Sequence, residues 1–130
     1  MASELPLRVL VVDNDELACA VTTEMLESLG YRAEGETDSL NALKVFSENP
    51  DKFDLALIEP VMPDLMGLDL AMRFRHIKPG FPVVFYTGYV DESLSRRTEG
   101  DGLGPVAFKP FTSNELAATI KDRLSPGVER

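Results

Sequence analysis

The stretch Phe53 to Gly67, FDLALIEPVMPDLMG, decides how the rest of the chain is read. Leu55-Ala56-Leu57-Ile58 is a continuous apolar run, short enough for a strand and apolar on both alternating faces. Such a run suits a strand covered by helices on both sides, as in a parallel sheet. It ends in one acid, Glu59, followed by Pro60, Val61-Met62-Pro63 and a turn closing at Gly67. Glu59 therefore stands at the carboxyl edge of the expected sheet, where open α/β folds place their ligands. The same acid is equally compatible with a strand simply reaching water, so the surrounding chain has to decide.

Working outward, five strand-like segments alternate with helical patterns. Leu7–Val12 is a first strand ending in Asp13-Asn14-Asp15-Glu16, followed by a helix with Leu17, Val21, Met25 and Leu29 on one stripe and Gly30 as its stop. Tyr31–Thr37 is a weaker strand, interrupted by Gly35, as expected at a sheet edge. Asp38 or Ser39 caps a second helix carrying Leu40, Leu43 and Phe46, which Asn49-Pro50 ends. After the central strand, a third helix is expected over Leu65–Ile77, with Leu68, Ala71 and Met72 inward. Val83–Tyr86 is a fourth strand ending at Thr87-Gly88. Asp91–Thr98 is a fourth helix with Leu94 as almost its only large apolar residue, and a glycine-rich loop reaches Gly104. Val106–Phe108 is the fifth strand, running into Lys109-Pro110-Phe111. Thr112 or Ser113 caps a fifth helix with Leu116, Ile120 and Leu124, and a polar tail follows.

This alternation predicts a doubly wound five-stranded parallel sheet of order 2-1-3-4-5, because parallel neighbours need helix-length crossovers. A chain of 130 residues makes one domain, with its core over about 7–124. The net charge of -9 repels phosphate backbones and argues against direct nucleic-acid binding. The local basic cluster Arg73, Arg75, His76 and Lys78 falls at a helix end, where cations suit the dipole. No stretch reaches membrane-spanning length, and the lone cysteine, Cys19, excludes an internal disulfide and fits a reducing cytoplasm.

Strand-end residues far apart in sequence should converge on one rim: Asp13, Asn14 and Asp15, then Glu59, Thr87 and Lys109. In this order they resemble the receiver domain of bacterial two-component response regulators, over roughly Leu7 to Leu124. The resemblance implies a flavodoxin-like receiver fold and a signal-transduction module rather than an enzyme. It implies that position 59 is the phospho-acceptor in a phosphorelay. It places Mg²⁺ among Asp13, Asn14, Glu59 and the Val61 carbonyl, and phosphoryl contacts at Thr87 and Lys109. It makes Lys109-Pro110 a cis peptide and position 106 the aromatic switch. Its partners are a histidine kinase, an output domain or a homodimer mate, engaged through the fourth helix, fifth strand and fifth helix.

Four departures lie on one pathway. The acceptor is Glu59 rather than aspartate, which displaces the attacking oxygen by about 1 Å, a misplacement that can cost about 100-fold in rate. Pro60 lacks the N–H that a phosphoryl oxygen would use. Asn14 is neutral where Mg²⁺ favours carboxylate, so the metal is expected to be weak or absent. Val106 replaces the aromatic. The expectation is an atypical, phosphorylation-independent receiver, a pseudo-receiver. Its alternatives are a receiver that is still phosphorylated and a small haloacid-dehalogenase-like phosphohydrolase with Asp13 as nucleophile and Asp15 as general acid. The phosphohydrolase lacks an acidic site after its lysine and leaves Glu59 without a role. A flavin carrier of the same sheet fails, because acids after the first strand repel phosphate.

Overall fold

In the computed structural model, described over residues 6–88, 106–108 and 112–124, the strands are β1 (Arg8–Val12), β2 (Arg32–Glu36), β3 (Leu55–Ile58), β4 (Val83–Thr87) and β5 (Val106–Phe108). The helices are α1 (Glu16–Ser28), α2 (Ser39–Glu48), α3 (Gly67–Ile77) and α4 (Ser113–Arg123). The sheet is wholly parallel in the order β2-β1-β3-β4-β5, as the alternation predicts. The fourth predicted helix, the glycine-rich loop, Lys109 and Pro110 lie outside the described residues.

The strands are apolar on both faces because both are covered. Leu10, Val12, Ala56, Ile58, Val83 and Phe85 face α2 and α3; Val9, Val11, Leu55, Leu57, Val84 and Tyr86 face α1 and α4. On the first face Phe46 stacks on Phe74 at 4.2 Å between ring centroids, with Phe81 edge-on to Phe46 at 4.8 Å. β2 is the polar edge strand that its sequence suggests.

Three helix faces differ from the sequence expectation. In α1, Leu17 is 73% exposed and Val21 48%, while Cys19, Thr22 and Leu26 are buried and Met25 and Leu29 half-buried. The small side chains win because the helix lies close on β2: a Cβ on Gly35 would come within 2.7 Å of Cys19 Sγ. Gly35 is thus a contact requirement of α1 as well as an edge feature. In α2, Leu40 is exposed and Ala42 and Phe46 form the contact. In α3, Met72 is exposed and Leu68, Leu70, Ala71 and Phe74 are buried; the helix starts at Gly67 rather than Leu65. Asp64, with φ 68°, and the Leu65 N–H to Pro63 carbonyl bond of 2.8 Å hold residues 63–66 in a turn instead.

Candidate functional site

The site follows from the switch point of the sheet. From β1 the chain crosses to β2 on one side and then to β3 on the other, so the carboxyl ends of β1 and β3 open a crevice. Two backbone bonds extend the ladder by one residue and set the acids there. The Asp13 N–H donates to the Glu36 carbonyl at 3.0 Å and the Glu59 N–H to the Val12 carbonyl at 2.9 Å. Both side chains are buried, Asp13 at 1% exposure and Glu59 at 6%.

A cleft of ≈ 680 Å³ is lined by Asp13, Asn14, Asp15, Ala18, Glu59, Val61, Met62, Pro63 and Gly88. The structure thus brings together Asp13, Asn14 and Glu59, which the sequence reading put on one rim, and Val61, which the resemblance added through its carbonyl. Thr87 ends the neighbouring β4, fully buried, one residue before the lining Gly88. Lys109 lies outside the described residues. Val106 pairs with Phe85 in register and packs, half-buried, against the core on the α2–α3 side.

Each acid is held by specific donors. The Asp15 N–H donates to Asp13 Oδ1 at 3.0 Å. The Tyr86 hydroxyl donates to Asp13 Oδ2 at 2.9 Å. Asp15 itself caps α1, its Oδ1 accepting the Ala18 N–H at 3.1 Å, which draws it toward the helix start and away from an acid–base role. Glu59 Oε2 accepts the Val61 N–H at 3.3 Å, so the carboxylate turns back onto its own loop. That loop is pinned at its far end. The Gly67 N–H donates to the Pro60 carbonyl at 2.9 Å, and a Cβ on Gly67 would overlap the Glu59 carbonyl oxygen.

Tyr86 is the site residue that the sequence reading missed. Burial pushes its phenol up, the Asp13 charge and the hydrogen bond to Asp13 push the same way, and a hydrogen bond with Thr22 opposes them. The group stays a protonated donor throughout the physiological range. A signal was present: a tyrosine that closes a buried strand must find a partner for its hydroxyl.

The donor set can be tested against the Mg²⁺ that the resemblance implies. Magnesium prefers hard oxygen ligands and dehydrates reluctantly. Here Asn14 is neutral and exposed, both Asp13 oxygens already accept hydrogen bonds, and Glu59 Oε2 is turned to Val61 N–H. Among the described residues no three of His, Cys, Asp or Glu are grouped as a metal would need. Asp13 and Glu59 thus offer carboxylate oxygens at this rim and Asn14 a neutral amide.

The family model for the response regulator receiver domain matches residues 9–121. The response regulator receiver protein CpdR of Brucella abortus is 28% identical over 117 residues, covering 90% of this chain and 96% of that protein. A CheY-like receiver domain protein from Methanospirillum hungatei superposes with a TM-score of 0.82 at 29% identity, covering 94% of this chain and 96% of that one. The sensor kinase CckA of Brucella abortus is 27% identical over 116 residues, 89% of this chain but 12% of that protein. This chain spans between 12% and 20% of the length of several such longer relatives. No described helix is long and apolar enough to cross a membrane. With the sheet order, the acid-lined crevice and the family match in agreement, the chain belongs to the response regulator receiver domain family of two-component signalling.

Proposed function

We propose that this receiver signals through protein contacts without passing through a phosphorylated state, with Glu59 standing at the acceptor position. The observation that carries the reading is the Glu59 Oε2 to Val61 N–H hydrogen bond of 3.3 Å. The carboxylate occupies a loop donor that an incoming phosphoryl oxygen would need, and the preceding residue, Pro60, has no N–H to offer instead. Glu59 thereby supplies part of what a phosphoryl group supplies: one negative charge where phosphate brings about 1.5 to 2, and two acceptor oxygens in place of three. The rim is also short of metal-binding carboxylate, so phosphoryl transfer to Glu59 lacks the cation that would offset its charge.

Binding uses the side of the sheet around β5 and α4, with a histidine kinase, an output domain or a second receiver as partner. Val106 there makes the readout differ from one that depends on an aromatic switch. The phosphohydrolase alternative is not favoured, because Asp15 serves as the α1 cap. The test is incubation with acetyl phosphate, or with a phosphorylated histidine kinase, and Mg²⁺, followed by intact mass. The unmodified mass is expected throughout. Stoichiometric gain of one phosphoryl group, lost in Glu59→Gln, contradicts the proposal.

A further inference from the structure

The basic residues at the end of α3 are of two kinds. Arg75 Nε donates to the Phe81 carbonyl at 3.1 Å and Lys78 pairs with Asp51 at 3.3 Å, so both serve the fold. Arg73 is exposed, and its side chain makes no ion pair or hydrogen bond among the described residues. Asp69, one turn earlier, is exposed and equally unpaired among them. Both border a groove of ≈ 590 Å³ between α2 and α3, with Leu43, Leu65, Met72 and Ile77 as its apolar walls. Met72 is 53% exposed and Ile77 38%, so two large apolar side chains on this stripe stand open to water.

The charges select what covers them. An acid one turn ahead of a base is complementary to the same helix stripe run in reverse. In an antiparallel pair of α3 helices, Asp69 of each copy meets Arg73 of the other, with the Met72 side chains between them. A parallel pair sets acid against acid and base against base. A uniformly acidic partner meets Asp69, and a uniformly basic one meets Arg73. We propose that the α2–α3 face docks a second copy of this chain, through a twofold, antiparallel contact of the α3 helices. The net charge of -9 on each copy opposes association, but at physiological salt that repulsion reaches only about 8 Å. From Gly67 to Lys78 the one acid, Asp69, stands against Arg73, Arg75 and Lys78, which reverses the acid excess along this helix. Two short helices per copy make a small contact beside the about 1,200–2,000 Å² of stable interfaces, so the dimer is weak. The inference goes beyond the proposed function. Because α2 and α3 cover the face of the sheet opposite α1 and α4, the contact leaves β5 and α4 free for a signalling partner.

The experiment is sedimentation equilibrium of the full chain at tens to hundreds of micromolar, for the wild type, Asp69→Arg, Arg73→Glu and the double variant. The wild type is expected to dimerise over that range. Asp69→Arg sets arginine against arginine at both ends of the contact, and Arg73→Glu sets acid against acid. Each is expected to weaken the dimer about 10-fold. Asp69→Arg/Arg73→Glu exchanges the signs and is expected to restore the wild-type dimer. An equimolar mixture of the two single variants is expected to dimerise as well, because both unlike pairs re-form across the copies. Far-UV circular dichroism checks that each variant is folded; should a single variant unfold, the double variant decides alone. A wild type that stays monomeric at the highest concentration overturns the proposal and leaves the groove to another partner. Dimerisation that every variant shares overturns it too, as does a sign exchange that restores nothing. Phosphorylation of Glu59 in the mass assay would remove the proposed function and leave this comparison intact.

Discussion

At Gly67 the backbone passes so close to the Glu59 carbonyl that no side chain fits between them. The obstacle is backbone on both sides, so the loop cannot yield as a flexible side chain would. Gly67→Ala is expected to cost about 1–3 kcal/mol, the usual range for overpacking, and to loosen Glu59 from Val61. Urea unfolding measures the first effect, and faster amide exchange at Val61 the second. A second residue-scale prediction concerns acid. Burial raises the Asp54 carboxyl, but the Arg8 side chain and backbone N–H bonds, at 3.2 and 2.9 Å, outweigh it, and the net shift is downward. A carboxyl lowered in the folded state stabilises above its ordinary pKa, and that contribution is lost as pH falls through the folded value. The pair is partly exposed, so solvent screening holds its worth to about 1 kcal/mol or less. Asp54→Asn should therefore lower stability slightly at neutral pH and narrow its gap to wild type below about pH 4, as urea midpoints across pH would show.

Among the elements, α4 has the most completely built start. Thr112 Oγ1 accepts the Glu115 N–H at 3.1 Å, and Glu115 Oε1 accepts the Thr112 N–H at 2.8 Å. Thr112→Ala should cost about 1 kcal/mol, read from the urea midpoint. The sequence narrowed this cap to Thr112 or Ser113 and that of α2 to Asp38 or Ser39, because capping depends on residues a few positions apart, and the structure selects Thr112 and Asp38. The contact face of α1 was not. Leu17, Val21, Met25 and Leu29 make an i, i+4 stripe, but Cys19, Thr22 and Leu26 make an overlapping one. Periodicity cannot choose between stripes so close in angle. What chooses is long-range: Gly35 lets Cys19 approach, and Tyr86 on β4 gives Thr22 a polar neighbour. The same reason hid Tyr86 itself, whose partner is 73 positions away.

For the whole molecule, the two-sided burial of β1, β3 and β4 made the sheet and its order readable, since apolar runs and helix-length crossovers are properties of the chain itself. The meeting of Asp13 with Glu59 followed from that topology. The grip on each carboxylate did not, because hydrogen-bond direction depends on distances that no spacing rule supplies. The aromatic cluster on the α2–α3 face ties α2, α3 and the segment leading into β4 together, Phe46 with Phe74 and Phe81. Phe74→Ala should cost about 3–5 kcal/mol, a large part of the 5–15 kcal/mol typical of a domain. Fluoroberyllate with Mg²⁺ imitates a bound phosphoryl group, and an amide-resolved NMR titration reads its binding at Val61 and Gly88 directly. A receiver whose loop donor is already taken by Glu59 is predicted to show no saturable shifts there. Stoichiometric, saturable shifts at both amides would mean that the pocket still accepts a phosphoryl group, and would contradict the account.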